Sequence, residues 1–165
     1  MMVSTKGRYA LRVMLDLAEH QGMCACEIDN SCDDSKEKAG YVSLADIAER
    51  QGLSMKYLEA VVGVLNKGGL VKSLRGKNGG YILAKKPEEY SISEILNLTE
   101  GSLAPVECVK DRGDCCDMSR HCATLPLWVG LDNVIENYLG NITLKDLAEC
   151  NCDKLKVTIT NQTVK

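Results

Sequence analysis

The chain has 165 residues, 45% of them hydrophobic, which suits one medium domain or a small domain with an appended element; with no Phe, its core must be largely aliphatic. A net charge of -3 hides an asymmetry: residues 1–86 carry 13 Lys+Arg against 10 Asp+Glu, whereas residues 87–165 carry 7 against 13, so only the front half suits a polyanion. Charges at Lys6, Arg8, Arg12, Asp16 and Glu19 exclude a secretory signal, so the nine cysteines of a cytoplasmic, non-membrane chain are expected to be metal ligands or redox thiols, not a disulfide framework.

Residues 4–20 place Ala10, Val13, Met14, Leu17 and Ala18 at the i, i+3, i+4, i+7, i+8 spacing of a one-sided helix. Lys6 and Arg8 fall near its start, where the helix dipole disfavours cations. An external anion such as a phosphate would explain them; a solvated basic start is the alternative. Segment 21–41 is polar, acidic and aperiodic, an expected insertion at about 23–39. Its Cys24, Cys26 and Cys32 either hold a soft metal or are incidental thiols. Setting residues 23–40 aside leaves 11 basic against 5 acidic residues in the front half.

Ser43, with Asp46 three residues on, reads as a capping box opening a second helix whose Leu44, Ile47 and Ala48 face inward, and Gly52 ends it. Ser54 is expected to cap a third helix with Leu58, Val61, Val62 and Leu65 inside and Lys56, Glu59, Gly63 and Asn66 off that stripe. Two short helices joined by QGLS make a helix-turn-helix candidate. Next, 70–74 and 81–83 are β-compatible runs around RGKNGG, whose Asn78-Gly79-Gly80 signals a hairpin. A ribbon directly after a helix-turn-helix is a winged helix. Its tip carries Arg75 and Lys77, flanked by Lys72, Lys85 and Lys86, and contact with DNA is expected over mere solubilising charge.

Pro87 ends the ribbon, and Ser91 with Glu94 starts a short helix carrying Ile92, Ile95, Leu96 and Leu98 that Gly101 terminates. Residues 107–122 hold Cys108, Cys115, Cys116 and Cys122 in a charged segment without hydrophobic periodicity. It is expected to form neither helix nor strand, and to be ordered by bonds from its sulfurs. Pro126 suits a helix start, and Trp128, Leu131, Ile135, Tyr138 and Ile142 alternate in steps of three and four, the spacing of a two-helix seam. Leu127, Val134 and Leu139 lie off that seam. A helix with more than one apolar face can pack on its own body and on a partner, so a homodimer through a helix at 126–140 is expected, with a buried core helix as the alternative. Thr143 and Asp146 begin a last short helix ending near Cys150, and 151–165 reads as a loose tail.

Taken together, STKGRYALRVMLDLA, VSLADIAERQGLSMKYLE, GLVKSLRGKNGGYILAK, the EC…C…C segment, PLW and NITLKDL resemble the Rrf2 family of bacterial winged-helix transcription regulators, in particular its IscR-like, iron–sulfur cluster branch. The resemblance spans most of residues 3–148. It implies a mainly α fold with a small β-hairpin wing: a winged helix-turn-helix DNA-binding domain at 1–86, then a short helix, a sensor loop at 103–125 and the dimerisation helix within 87–150. A dimer would insert two recognition helices into successive major grooves and two wings into minor grooves. Carried over by position, the recognition helix offers Ser54, Lys56, Tyr57, Glu59 and Asn66, and the wing Arg75. Ser, Lys and Tyr can hold phosphates, Glu59 can accept from a cytosine amino group, and Arg75 can enter a narrow minor groove.

The resemblance also implies three cysteine ligands for an iron–sulfur cluster, [2Fe–2S] ahead of [4Fe–4S], although the residues themselves do not decide the type. Cys108, Cys116 and Cys122 match the spacing of Gram-positive relatives better than a set using Cys115. Thiolates select clusters or zinc, and closed structural zinc would want four ligands. Leu125 stands where the branch has a histidine, so His121, Cys115, an acidic side chain or a partner group would complete the site. Two other classes are a cluster-free regulator responding to thiol oxidation or a protein partner, and a cluster-carrying enzyme. No nucleophile–base pair or phosphate-cradling loop supports an enzyme, because RGKNGG lies between strands.

Overall fold

A computed structural model describes residues 3–21, 40–76, 79–110 and 121–149. The inserted segment, Lys77, Cys115, Cys116 and the 151–165 tail lie outside them, with the sequence readings made there. Seven helices and one hairpin are described: α1 (Thr5–His20), α2 (Leu44–Gln51), α3 (Met55–Lys67), β1 (Val71–Leu74), β2 (Gly80–Leu83), a 3-10 turn at Pro87–Glu89, α4 (Ile92–Glu100), α5 (Glu107–Lys110), α6 (Leu125–Gly140) and α7 (Leu144–Ala148).

Side-chain oxygens start four of these helices, three of them at caps the sequence named. Ser43 Oγ accepts from Asp46 N at 3.1 Å and Ser91 Oγ from Glu94 N at 3.1 Å. Thr143 and Asp146 form the full reciprocal pair, at 3.1 Å and 3.0 Å. Ser4 caps α1 through Gly7 N at 3.3 Å. Each such cap satisfies an otherwise orphaned amide and contributes about 1 kcal/mol. Gly52 ends α2 in the left-handed conformation, φ 64°, which turns the chain into α3 without a side-chain penalty.

Ala10, Val13, Met14 and Leu17 of α1 are wholly buried, as are Ile47 of α2 and Leu58, Val62 and Leu65 of α3. Ile95, Leu96, Leu103, Ile142 and Leu144 join the same core. The periodicity therefore selected the correct faces. β1 and β2 pair antiparallel, Leu74 opposite Gly80, and Val42 just before α2 bridges to Tyr81. A β-carbon at Gly80 would run into the Val42 carbonyl oxygen, so this glycine is required for the hairpin to seat beside the helix-turn-helix.

Tyr90 pins the hairpin base to α4. It is fully buried, donates to Leu70 O at 2.7 Å and accepts from Lys85 N at 2.7 Å. Burial pushes its phenol above the ordinary value. Tyr90→Phe should leave both backbone groups without this partner and cost about 1–3 kcal/mol, read as a lower urea midpoint with an unchanged m-value.

Two elements differ from the sequence reading. The cysteine segment opens with a helical turn, α5, which packs against α6; that tertiary contact supports a turn the local pattern did not announce. The outward stripe of α6 shares only Leu131 and Tyr138 with the expected seam. Ile135 and Leu139 lie against the core and Ile142 is 5% exposed, whereas Leu127 (63%), Leu131 (41%), Val134 (63%) and Tyr138 (46%) face out. These four again follow steps of four, three and four. Two interleaved stripes satisfy the same period, and Glu136 decides between them by accepting from Ser93 Oγ at 2.5 Å and Asn97 Nδ2 at 3.0 Å on α4.

Candidate DNA interface and sensor cysteines

The helix-turn-helix is held by a charge that periodicity did not place inside. Asp16 on α1 is buried, with its side chain 1% exposed, and accepts from Arg50 Nε at 3.0 Å, Arg50 Nη2 at 2.5 Å and Gln51 Nε2 at 2.9 Å. Burial pushes its carboxyl up, but the hydrogen bonds from Arg50 and Gln51 and the Arg50 charge outweigh that and hold it below the ordinary value. Arg12 adds bonds to Gln51 Oε1 at 2.8 Å and Gln51 O at 3.1 Å, and its guanidinium lies 5.3 Å from the centre of the Tyr9 ring. The last turn of α2, just ahead of α3, is therefore fixed to α1 from two sides.

On α3, Lys56, Glu59 and Asn66 are exposed along one side, with Met55 and Ala60. Ser54 is at the N-cap position, but its side-chain oxygen accepts no capping bond from the helix amides. Tyr57 is half-buried instead: its ring meets Tyr9 edge-on at 5.5 Å, 77° between planes. Thr5, Tyr9, Gly52, Leu53, Ser54 and Tyr57 line a shallow depression of about 230 Å³ between the starts of α1 and α3. Such a depression, with hydroxyls on its rim, can seat a phosphate.

At the start of α1, Glu100 Oε1, from the end of α4, accepts from Ser4 N at 3.2 Å and Ser4 Oγ at 2.7 Å, and any β-carbon at Gly7 would clash with it. Lys6 is half-buried; Arg8 is exposed and donates to Thr5 Oγ1 at 3.3 Å. Both cations flank the helix start. On the wing, Arg75 and Lys72 are exposed. Lys85 turns away to Glu94 Oε1 at 3.0 Å, over the Tyr90 ring, which removes it from the set of wing charges.

Of the expected ligands, the described residues include Cys108 on α5 and Cys122 ahead of α6, both free and half-buried. Cys122 Sγ lies 3.2 Å from Thr124 Oγ1, and this hydrogen bond, with the Thr124 and Leu125 amides, holds the thiol below its ordinary value. A depressed thiol is more readily the thiolate that ligates soft metals. His121 is exposed beside it, and Leu125 is the first residue of α6. Among the described residues no three metal-ligating side chains come together.

Sequence reasoning missed Asp16, Glu100 and Glu136, because each is recognisable only from a partner more than thirty residues away. Among the described residues, no helix is long and apolar enough to cross a membrane.

The Rrf2 family model, described as an iron-dependent transcriptional regulator, matches residues 34–150. The HTH-type transcriptional regulator IscR of Serratia proteamaculans is 38% identical over 157 residues, 95% of this chain and 84% of that protein. Among solved structures, CymR (YrzC), the global cysteine regulator of B. subtilis, superposes with TM-score 0.67 at 33% identity over 91% of this chain and 98% of that one. IscR of T. potens gives TM-score 0.62 at 38% identity over 92% and 88%. The mainly helical fold with its hairpin wing is the winged helix of these regulators, whose names describe transcription control and not catalysis. This chain belongs to the Rrf2 family of transcriptional regulators.

Proposed function

We propose that this chain is a cytoplasmic, homodimeric regulator whose binding to a double-stranded DNA operator is controlled by an iron–sulfur cluster on Cys108, Cys116 and Cys122, [2Fe–2S] in preference to [4Fe–4S]. The observation that carries the reading is that α5, bearing Cys108, packs on α6 just behind Cys122, while α6 turns an apolar stripe outward. Two of the three donors suit it: Cys108 and Cys122 are free, half-buried thiols, and the Thr124 hydroxyl lowers the second below its ordinary value. Held by Cys108, Cys116 and Cys122, a cluster would supply redox-active iron at this position. The fourth ligand would come from His121, Cys115, an acidic side chain or the partner subunit, since Leu125 cannot supply it.

In this reading residues 1–86 read DNA, with Ser54, Lys56, Tyr57, Glu59 and Asn66 in the major groove and Arg75 and Lys77 in the minor groove. Lys6 and Arg8 approach the backbone. The chain's own contacts connect the two ends. Glu136 ties α6 to Ser93 and Asn97 on α4; Leu98 of α4 fills the space above Gly68 at the end of α3; and Glu100 holds the start of α1. A change in how Cys108 and Cys122 hold α5 against α6 is thereby passed to both DNA-facing helices.

Arg75→Ala should weaken operator binding and lower the salt slope by about one, whereas Glu59→Ala should relax base preference more than it reduces affinity. Gel shifts across salt and operator variants test both. Uniform loss of binding to every sequence by Glu59→Ala would refute its role as a reader. A cluster-free regulator responding to thiol oxidation is the second reading, supported by the half-buried free thiols and the likeness to a cysteine regulator. Disulfide-dependent DNA binding by iron-free protein would favour it.

A further inference from the structure

Met55 is the first residue of α3 and 43% exposed. Every other exposed large apolar side chain among the described residues lies on α6, so Met55 stands apart from the stripe assigned to the dimer. A four-residue step puts it on the same face as Glu59, one helical turn or about 5.4 Å along the axis. Farther along α3, Ala60 is exposed and Gly63 has open space where a side chain would stand. The helix surface behind the Met55–Glu59 pair is therefore low, and the backbone can lie close to a groove floor.

In the major groove each base pair presents donors and acceptors, and the thymine C5-methyl is the apolar group among them. Successive base pairs rise about 3.4 Å, so a side chain one helical turn from Glu59 falls one or two base pairs from the base that Glu59 meets. An unbranched, polarizable thioether adapts its rotamers to such a small target. We propose that Met55 is a specificity-determining residue that packs on a thymine methyl group one or two base pairs from the base contacted by Glu59. This rests on the DNA-reading role given to α3 above.

The test uses the full-length protein and duplexes it enriches from a randomised library. Each thymine of the enriched site is replaced in turn by deoxyuridine, which removes only the methyl group, and Kd is measured at one fixed salt concentration. One thymine in each half-site should lose about fourfold in affinity on replacement, the value of one buried methyl-sized group. Met55→Ala should bind the thymine and deoxyuridine duplexes equally, and Met55→Leu should restore the difference. Tolerance of deoxyuridine at every position by the unsubstituted protein, or a full thymine preference retained by Met55→Ala, would overturn the proposal while leaving α3 as the reading helix. Failure to enrich any duplex would overturn both.

Discussion

Val134→Asp is expected to leave the chain folded and to separate the proposed dimer, reducing operator affinity by about a hundredfold or more. Val134 is 63% exposed on α6, in line with Leu127, Leu131 and Tyr138, so a carboxylate there meets water in a single chain. At the centre of a helix–helix interface it would be buried without a partner, which is strongly unfavourable. Two linked reading heads bind far more tightly than either alone because the second contact is intramolecular, a gain of about 10² to 10⁴. Sedimentation should show half the mass with an unchanged circular dichroism spectrum. Ile135→Asp is the contrasting variant: Ile135 packs on the core, so its replacement should lower the thermal midpoint instead. A Val134→Asp protein that stays dimeric would remove the outer stripe of α6 from the interface.

The second large effect is expected at Asp16→Ala. Removing a carboxylate that is 1% exposed strands Arg50 and Gln51, and breaking a buried pair costs about 3–5 kcal/mol. Arg50 is 32% exposed and recovers some hydration, so about 2–3 kcal/mol is expected here, or a fall of roughly 5–10 °C in Tm. Because the folded carboxyl titrates below its ordinary value of 3.8, its stabilisation is fully present above that pH and is lost as the pH falls through the lower folded value. The gap between the two proteins, measured by thermal denaturation, should thus be full at neutral pH and narrow in stronger acid. Asp16→Asn, which keeps the shape and some hydrogen bonds, should fall between them.

Much of this architecture was legible in the sequence because it is local. Ser43, Ser91 and Thr143 announce helix starts within three residues of their partners, and the buried stripes of α1 and α3 repeat at the helical period. What escaped reading depends on distant partners. A charged residue such as Asp16 reads as surface until Arg50 and Gln51 are placed opposite it. The two stripes of α6 have equal periodicity, and only Glu136, reaching α4, orients them. Likewise Glu100 reads as surface until Ser4 is placed against it. On α3 the exposure of Lys56 and Glu59 agrees with their place off the buried stripe, whereas Met55 was passed over because an apolar residue at a helix start gives no signal until its exposure is known.

The most direct test of the account is anaerobic purification of the full-length protein with assay of iron and acid-labile sulfide, beside Cys108→Ala, Cys116→Ala, Cys122→Ala and Cys115→Ala. The account predicts a coloured protein holding iron and sulfide in equal amounts. The first three variants should lose both and no longer distinguish the operators that the loaded protein prefers, and Cys115→Ala should retain them. A colourless, iron-free protein from that preparation, binding DNA as its cysteine variants do, would contradict it.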